Sequence, residues 1–172
     1  ESIWLEANEH YQKRSYRNRC ILLNHAGSFL FSVPLVKGKN QNKPIKEISI
    51  ANHDHWIKMF DKHIQSAYGK SPFLPFYKDD LIEIIYQNRL NLFELNSSLL
   101  RYLFSIFNWE NKISETKAYL KSYPDKYCDL RNYFSPLKGG IHSHGTINRY
   151  PQVFEYKHGF TENLSIVDLL FN

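Results

Sequence analysis

Cys20-Ile21-Leu22-Leu23-Asn24-His25-Ala26-Gly27-Ser28-Phe29-Leu30-Phe31-Ser32-Val33 is the stretch that decides the fold class. Two apolar runs, 20–23 and 29–33, flank a short loop that contains Gly27. That loop has the length and composition of a hairpin connection, so the stretch predicts two antiparallel strands. Upstream, Ser2-Ile3-Trp4-Leu5-Glu6-Ala7 reads as a buried strand with no preceding turn or cap, and the expectation is that an N-terminal strand and helix are missing. Between the two lies a polar, basic connection, Glu9 to Arg17.

Working downstream, the polar segment Lys37 to Lys43 predicts an exposed loop, followed by a short strand over Lys46 to Ile50. Asp54 is the expected N-cap of a helix whose apolar face comprises Trp56, Met59, Phe60, His63, Ile64, Ala67 and Tyr68, with Gly69 ending it. Pro72 and Pro75 interrupt the chain. Helical spacing then resumes over Phe76 to Gln87 through Leu81, Ile84 and Ile85, and again through Leu92, Leu95, Leu99, Leu100, Leu103 and Phe107. Residues 123–149 carry two prolines and three glycines with little periodicity and predict a long surface loop that orders on a ligand. Ser165 and Asp168 have capping-box spacing ahead of a last helix cut off at Asn172. The expected architecture is mixed α/β (α+β): one domain over 1–172, truncated at both ends, with a central mixed sheet and a β-hairpin packed by three to four helices.

Composition narrows the classes. Hydrophobic residues at 42% with charged residues at 23% describe a folding chain rather than a disordered one. Cys20 and Cys128 have no CxxC or zinc spacing, so neither a disulfide framework nor a cysteine-rich metal site is indicated, and a reducing cytoplasm is the expected location. No apolar run reaches the roughly 18 residues of a membrane span, and residues 1–8 lack the pattern of a signal peptide. A net charge of +5 favours anionic partners such as sugar phosphates, nucleotides, nucleic acid or acidic lipid.

The densest polar segment is Tyr11-Gln12-Lys13-Arg14-Ser15-Tyr16-Arg17-Asn18-Arg19, with four cations. Guanidinium forks match phosphate or carboxylate oxygens in pairs, and Asn18 is a short group that can orient them. A solvated basic loop is the other reading of the same residues. His158, in a His-Gly-Phe turn, is the candidate general base, with Gln152 and Asp168 as hydrogen-bonding or orienting groups if the fold unites them. A turn with His158 in solvent is the alternative. The pairs His53/His55 and His142/His144 share a face only in extended chain, and no third or fourth ligand can be named, so no metal site is assigned and any cofactor stays unknown. His63 is expected to pack, and Cys20 to be a small core residue rather than a thiolate activated by Arg17 and Arg19.

Asn8 to Cys20, followed by the apolar hairpin, resembles the WbqC-like family of bacterial proteins, whose members often carry Tyr-Gln-Lys-Arg and Arg-Asn-Arg at this place. Lys43 to Ile48, Trp56 with Ser66 to Phe73, and Tyr150 to Phe154 through His158-Gly159-Phe160 and Asn163 to Leu170 resemble it in the same order. The resemblance implies a Pro-containing first strand, absent here, and a His where Phe60 stands. It also implies a role beside O-antigen and other surface-glycan genes, with transfer of glycine or another small acyl group to a sugar as the suggested reaction. Two readings follow. One is an enzyme of surface-glycan metabolism that acts on a sugar or nucleotide-sugar, with Tyr11, Gln12, Lys13, Arg14, Arg17, Asn18, Arg19 and Gln152 binding and His158 and Asp168 catalysing. The other is a nucleic-acid-binding or scaffold protein that uses the same cations and aromatics. It ranks second because no RNA-binding motif, zinc finger or recognition helix is present. Oligomeric state is not legible.

Overall fold

A computed structural model describes residues 2–38, 40–51, 53–109, 112–131, 133–134 and 148–172. The predicted hairpin is there. Strands β2 (Arg19–Asn24) and β3 (Gly27–Ser32) pair antiparallel, with Cys20 opposite Phe31 and Leu22 opposite Phe29. The connection is tighter than the expected loop, because Asn24 and Gly27 already pair and only His25 and Ala26 lie between them. Asn24 Oδ1 accepts from the Ala26 amide at 2.8 Å, and Gly27 takes φ 122°, which a side chain would oppose.

Helix α1 (His53–Tyr68) covers the hairpin. Trp56, Ile57, Phe60, Ile64, Ala67 and Tyr68 are its buried face, while Met59, expected inside, is exposed. The stripe otherwise keeps the expected positions, with Ile57 inside in place of Met59. Phe31 meets Phe60 at 5.0 Å, and the His63 ring lies 5.3 Å from Phe29 and 5.8 Å from Phe31, so His63 packs under the hairpin as expected. Asp54 sits in the first turn of the helix rather than capping it. Positions 53 and 55, both helical, are separated by about 200° around the axis, so their HxH spacing does not form the shared face of an extended strand. His142 and His144 lie outside the described residues, as does much of the 123–149 loop.

Helix α2 (Leu74–Gln87) starts two residues earlier than expected, with Pro75 in its first turn, where a missing N–H costs nothing. It buries Leu74, Leu81 and Ile85. Asn91 caps α3 (Leu92–Ile106) by accepting from the amides of Phe93 and Glu94. The predicted strand over 46–50 is instead a 3-10 turn, Ile45–Glu47, started by Pro44, followed by single bridges from Ile50 to Leu35 and from Ser49 to Asn91. Ile45, Ile48 and Ile50 are all buried, which a pleated strand with alternating faces does not require.

Beyond α3, Trp109 packs against Phe104 at 5.1 Å and stacks on Phe107 at 5.0 Å, and Asn108 takes φ 51°. This hook turns the chain into β4 (Lys112–Glu115), which pairs parallel with β1 (Ser2–Leu5), Ile3 opposite Ile113. The sequence reading had no strand at β4 and expected β1 to be buried, yet Trp4 is 52% exposed. The fold is mixed α+β, but among the described residues its strands form two separate pairs rather than one central mixed sheet.

The C-terminal segment docks on the hairpin and α1 through α4 (Glu155–His158) and α5 (Ile166–Phe171). Ser165 N donates to Ile21 O at 2.8 Å, and Phe171 packs 5.3 Å from Tyr68. Ser165 makes no side-chain cap, so the expected capping box does not form. The Ser165 hydroxyl bonds the Cys20 thiol instead, and the Asp168 carboxylate is taken up by Tyr150 and Gln152. Among the described residues, no helix is long and apolar enough to cross a membrane.

Candidate functional site

The basic segment is pinned at both ends. Ile45 N donates to Glu9 O, Tyr11 N donates to Lys43 O, and Val33 N donates to Asn18 O. Between these ties, Ser15 Oγ donates to Gln12 O at 2.7 Å, and Arg14 takes φ 56°, so residues 12–15 form a tight projecting turn. Gln12, Lys13 and Arg14 are exposed at its tip.

The remaining members of the segment face inward. Asn18 is buried, accepting from the Tyr11 hydroxyl at 2.9 Å and donating to Val33 O at 2.9 Å, so its polar atoms serve the fold. Arg17 grips Glu9 in a bidentate pair, Nε to Oε1 at 2.5 Å and Nη2 to Oε2 at 2.6 Å, with both side chains largely shielded from water. Arg19 differs. Its Nε is buried and has no acceptor among the described residues. It lies close enough to Tyr11 for its charge to favour the phenolate, although burial dominates and raises the Tyr11 pKa. A buried guanidinium N–H without an acceptor is costly. Burial also pushes the Cys20 thiol up to about 11 despite a hydrogen bond with Ser165, which suits the core role expected of it.

Gln152 and Asp168 come together, but His158 does not join them. Asp168 is almost fully buried, and its Oδ2 accepts from the Tyr150 hydroxyl at 2.8 Å and from Gln152 Nε2 at 3.1 Å. Gln152 also clasps Thr161, donating to its carbonyl at 2.9 Å and accepting from its amide at 2.8 Å. Burial raises the Asp168 pKa, opposed by hydrogen bonds from Tyr150, Tyr68 and Gln152. The same burial, with the Asp168 charge, raises Tyr68 above its ordinary value, and burial raises Tyr150. This network locks the C-terminal segment to α1. His158 lies outside it, exposed, with Nε2 3.0 Å from the His25 carbonyl at the hairpin tip. A carbonyl only accepts, so Nε2 carries the proton and Nδ1 is the basic atom. Lys157 Nζ donates to the same carbonyl at 2.9 Å and touches the His25 ring.

The hairpin therefore separates the two candidate groups. Arg19 begins β2 and His25 follows its last residue, Asn24, a strand length of about 20 Å away. One cleft lined by both the guanidinium groups and the His158 imidazole is not formed. The sequence reading also missed two carboxylates. Glu9 pairs with Arg17. Glu6 accepts from Thr116 Oγ1 at 2.7 Å and from the Tyr123 hydroxyl at 2.8 Å, and lies 3.6 Å from Arg131. Their only signal was acidic residues beside a basic run. Among the described residues, no three His, Cys, Asp or Glu side chains group as a metal site.

The model of the WbqC-like protein family matches residues 1–135. Those residues include the basic segment, the hairpin and α1 to α3, while the family-like segments at 150–170 fall beyond the match. No curated protein and no solved structure matches the chain. With most of its length matched in order, the chain belongs to the WbqC-like protein family.

Proposed function

We propose that the protein is an enzyme of bacterial surface-glycan metabolism that holds a sugar or nucleotide-sugar by its anionic group on residues 11–19. Transfer of glycine or another small acyl group to the sugar is the reaction class. The observation that carries the binding site is the Arg19 guanidinium, whose Nε has no acceptor among the described residues, close to Tyr11 and in the same segment as the exposed Lys13 and Arg14. Arg17 and Asn18, already partnered, shape this site rather than contact the ligand. His158 belongs to no common centre with it: a strand length of about 20 Å exceeds the reach of one sugar phosphate.

Calorimetric titration with UDP-glucose and with inorganic pyrophosphate tests this reading. Wild type is expected to bind at least one of them, and Arg19→Gln to weaken it about tenfold, the loss of one charge-assisted hydrogen bond. Binding to neither probe at millimolar concentration, or equal affinity in Arg19→Gln, would count against the site. A salt-steep affinity for single-stranded oligonucleotides exceeding that for either probe would favour a nucleic-acid role instead.

A further inference from the structure

Arg131 gathers several partners beside the basic segment. Its guanidinium donates to Asp129 Oδ2 at 2.5 Å and to the carbonyls of Leu120 at 2.7 Å and Lys121 at 3.4 Å. It lies over the rings of Tyr119 at 5.3 Å and Tyr123 at 4.7 Å. It also faces Glu6, which the Tyr123 hydroxyl and Thr116 hold from the same loop. Five groups of residues 119–129 thus converge on one planar cation and fold the loop back onto the end of β1. Lysine could not reproduce this, because the contacts use the fork and the flat face together.

The consequence lies in the backbone of the same residue. The Arg131 carbonyl accepts from Arg17 Nη2 at 3.3 Å. Arg17 in turn grips Glu9, and its own carbonyl accepts from Asn96 of α3 at 2.7 Å. Two shielded ion pairs, Glu6 with Arg131 and Glu9 with Arg17, are therefore joined at one atom. We infer that Arg131 is a positioning residue for the anion site, acting through Arg17 to fix residues 9–19. This rests on the proposed function for the ligand, but the mechanical coupling stands apart from it.

Hydrogen exchange read by mass spectrometry, combined with titration, separates the two. In Arg131→Ala, peptides spanning 9–19 are expected to exchange about tenfold faster while those of α1 stay unchanged. UDP-glucose affinity is expected to fall about fivefold in Arg131→Ala and in Arg17→Ala, and no further in the double variant, because both act along one path. Arg131→Lys should behave like Arg131→Ala. Should Arg131→Ala fail to fold, Tyr123→Phe removes only the hydroxyl bond to Glu6 and should give the same pattern more weakly. Unchanged exchange over 9–19, additive losses in the double variant, or full rescue by lysine would overturn the inference. If wild type binds neither UDP-glucose nor pyrophosphate, the functional reading fails and the exchange result alone decides the coupling.

Discussion

Replacing Asp168 probes the lock between the C-terminal segment and the body of the fold. The carboxylate is 1% exposed and accepts from Tyr150, Gln152 and Tyr68. Asp168→Ala strips an acceptor from all three donors. Gln152 Nε2 keeps Thr161 O, but the Tyr150 hydroxyl has no other acceptor among the described residues. An unsatisfied buried group costs about 1–3 kcal/mol, so with the partial loss at Gln152 the total is about 2–4 kcal/mol. Asp168→Asn keeps one acceptor oxygen and discards the charge, and is expected to cost about 1 kcal/mol or less near neutral pH. The pH dependence has a definite sign. Burial raises the folded-state pKa above 3.8, so the contribution of Asp168 is full below that value and declines as pH rises through the folded-state pKa. Wild type should therefore lead Asp168→Asn most at about pH 4 and less at about pH 7. Urea unfolding followed by tryptophan fluorescence measures both. An Ala variant within about 0.5 kcal/mol of wild type, or a gap to Asn that widens with pH, would refute the reasoning.

Further predictions bear on the basic segment and the core. Arg17→Ala leaves the shielded Glu9 carboxylate unpaired and should lower stability by about 3 kcal/mol, whereas Lys13→Ala, at the exposed turn, should stay within about 0.5 kcal/mol by the same unfolding assay. At pH 8, iodoacetamide should label the exposed Cys128 and leave Cys20, raised to about 11, until the chain unfolds, as peptide mass mapping will show. Gly69→Ala would place a Cβ 2.5 Å from the Gln65 carbonyl oxygen, a backbone contact that cannot swing aside, and should lower the melting temperature with a loss of about 1–3 kcal/mol.

What was legible in the sequence was what is local. The hairpin announced itself because two apolar runs flank a glycine-bearing loop, and α1 to α3 because apolar residues recur at helical spacing over three or more turns. β4 was not legible, since Lys112 to Glu115 is four residues long and its partner β1 is more than 100 residues away; nothing in the strand itself specifies that pairing. The turn at 45–47 was read as strand because buried isoleucines at 48 and 50 imitate β periodicity, while Pro44 and the 3-10 turn it starts set the real path. At the C-terminal end, Asp168 had capping spacing, but Tyr150 and Gln152 offer it stronger partners than a helix terminus on the protein surface. For the site, the cations were visible and their partners were not. Glu9 and Arg17 are eight residues apart, and only the turn between them makes one the acceptor of the other.

The most direct test is a crystal structure of the protein soaked with pyrophosphate or UDP-glucose. The account predicts a phosphate oxygen within hydrogen-bonding distance of the Arg19 guanidinium, with the Arg17–Glu9 pair intact. A phosphate seated instead at the hairpin tip, against Lys157 and His158, with Arg19 left bare, would contradict it.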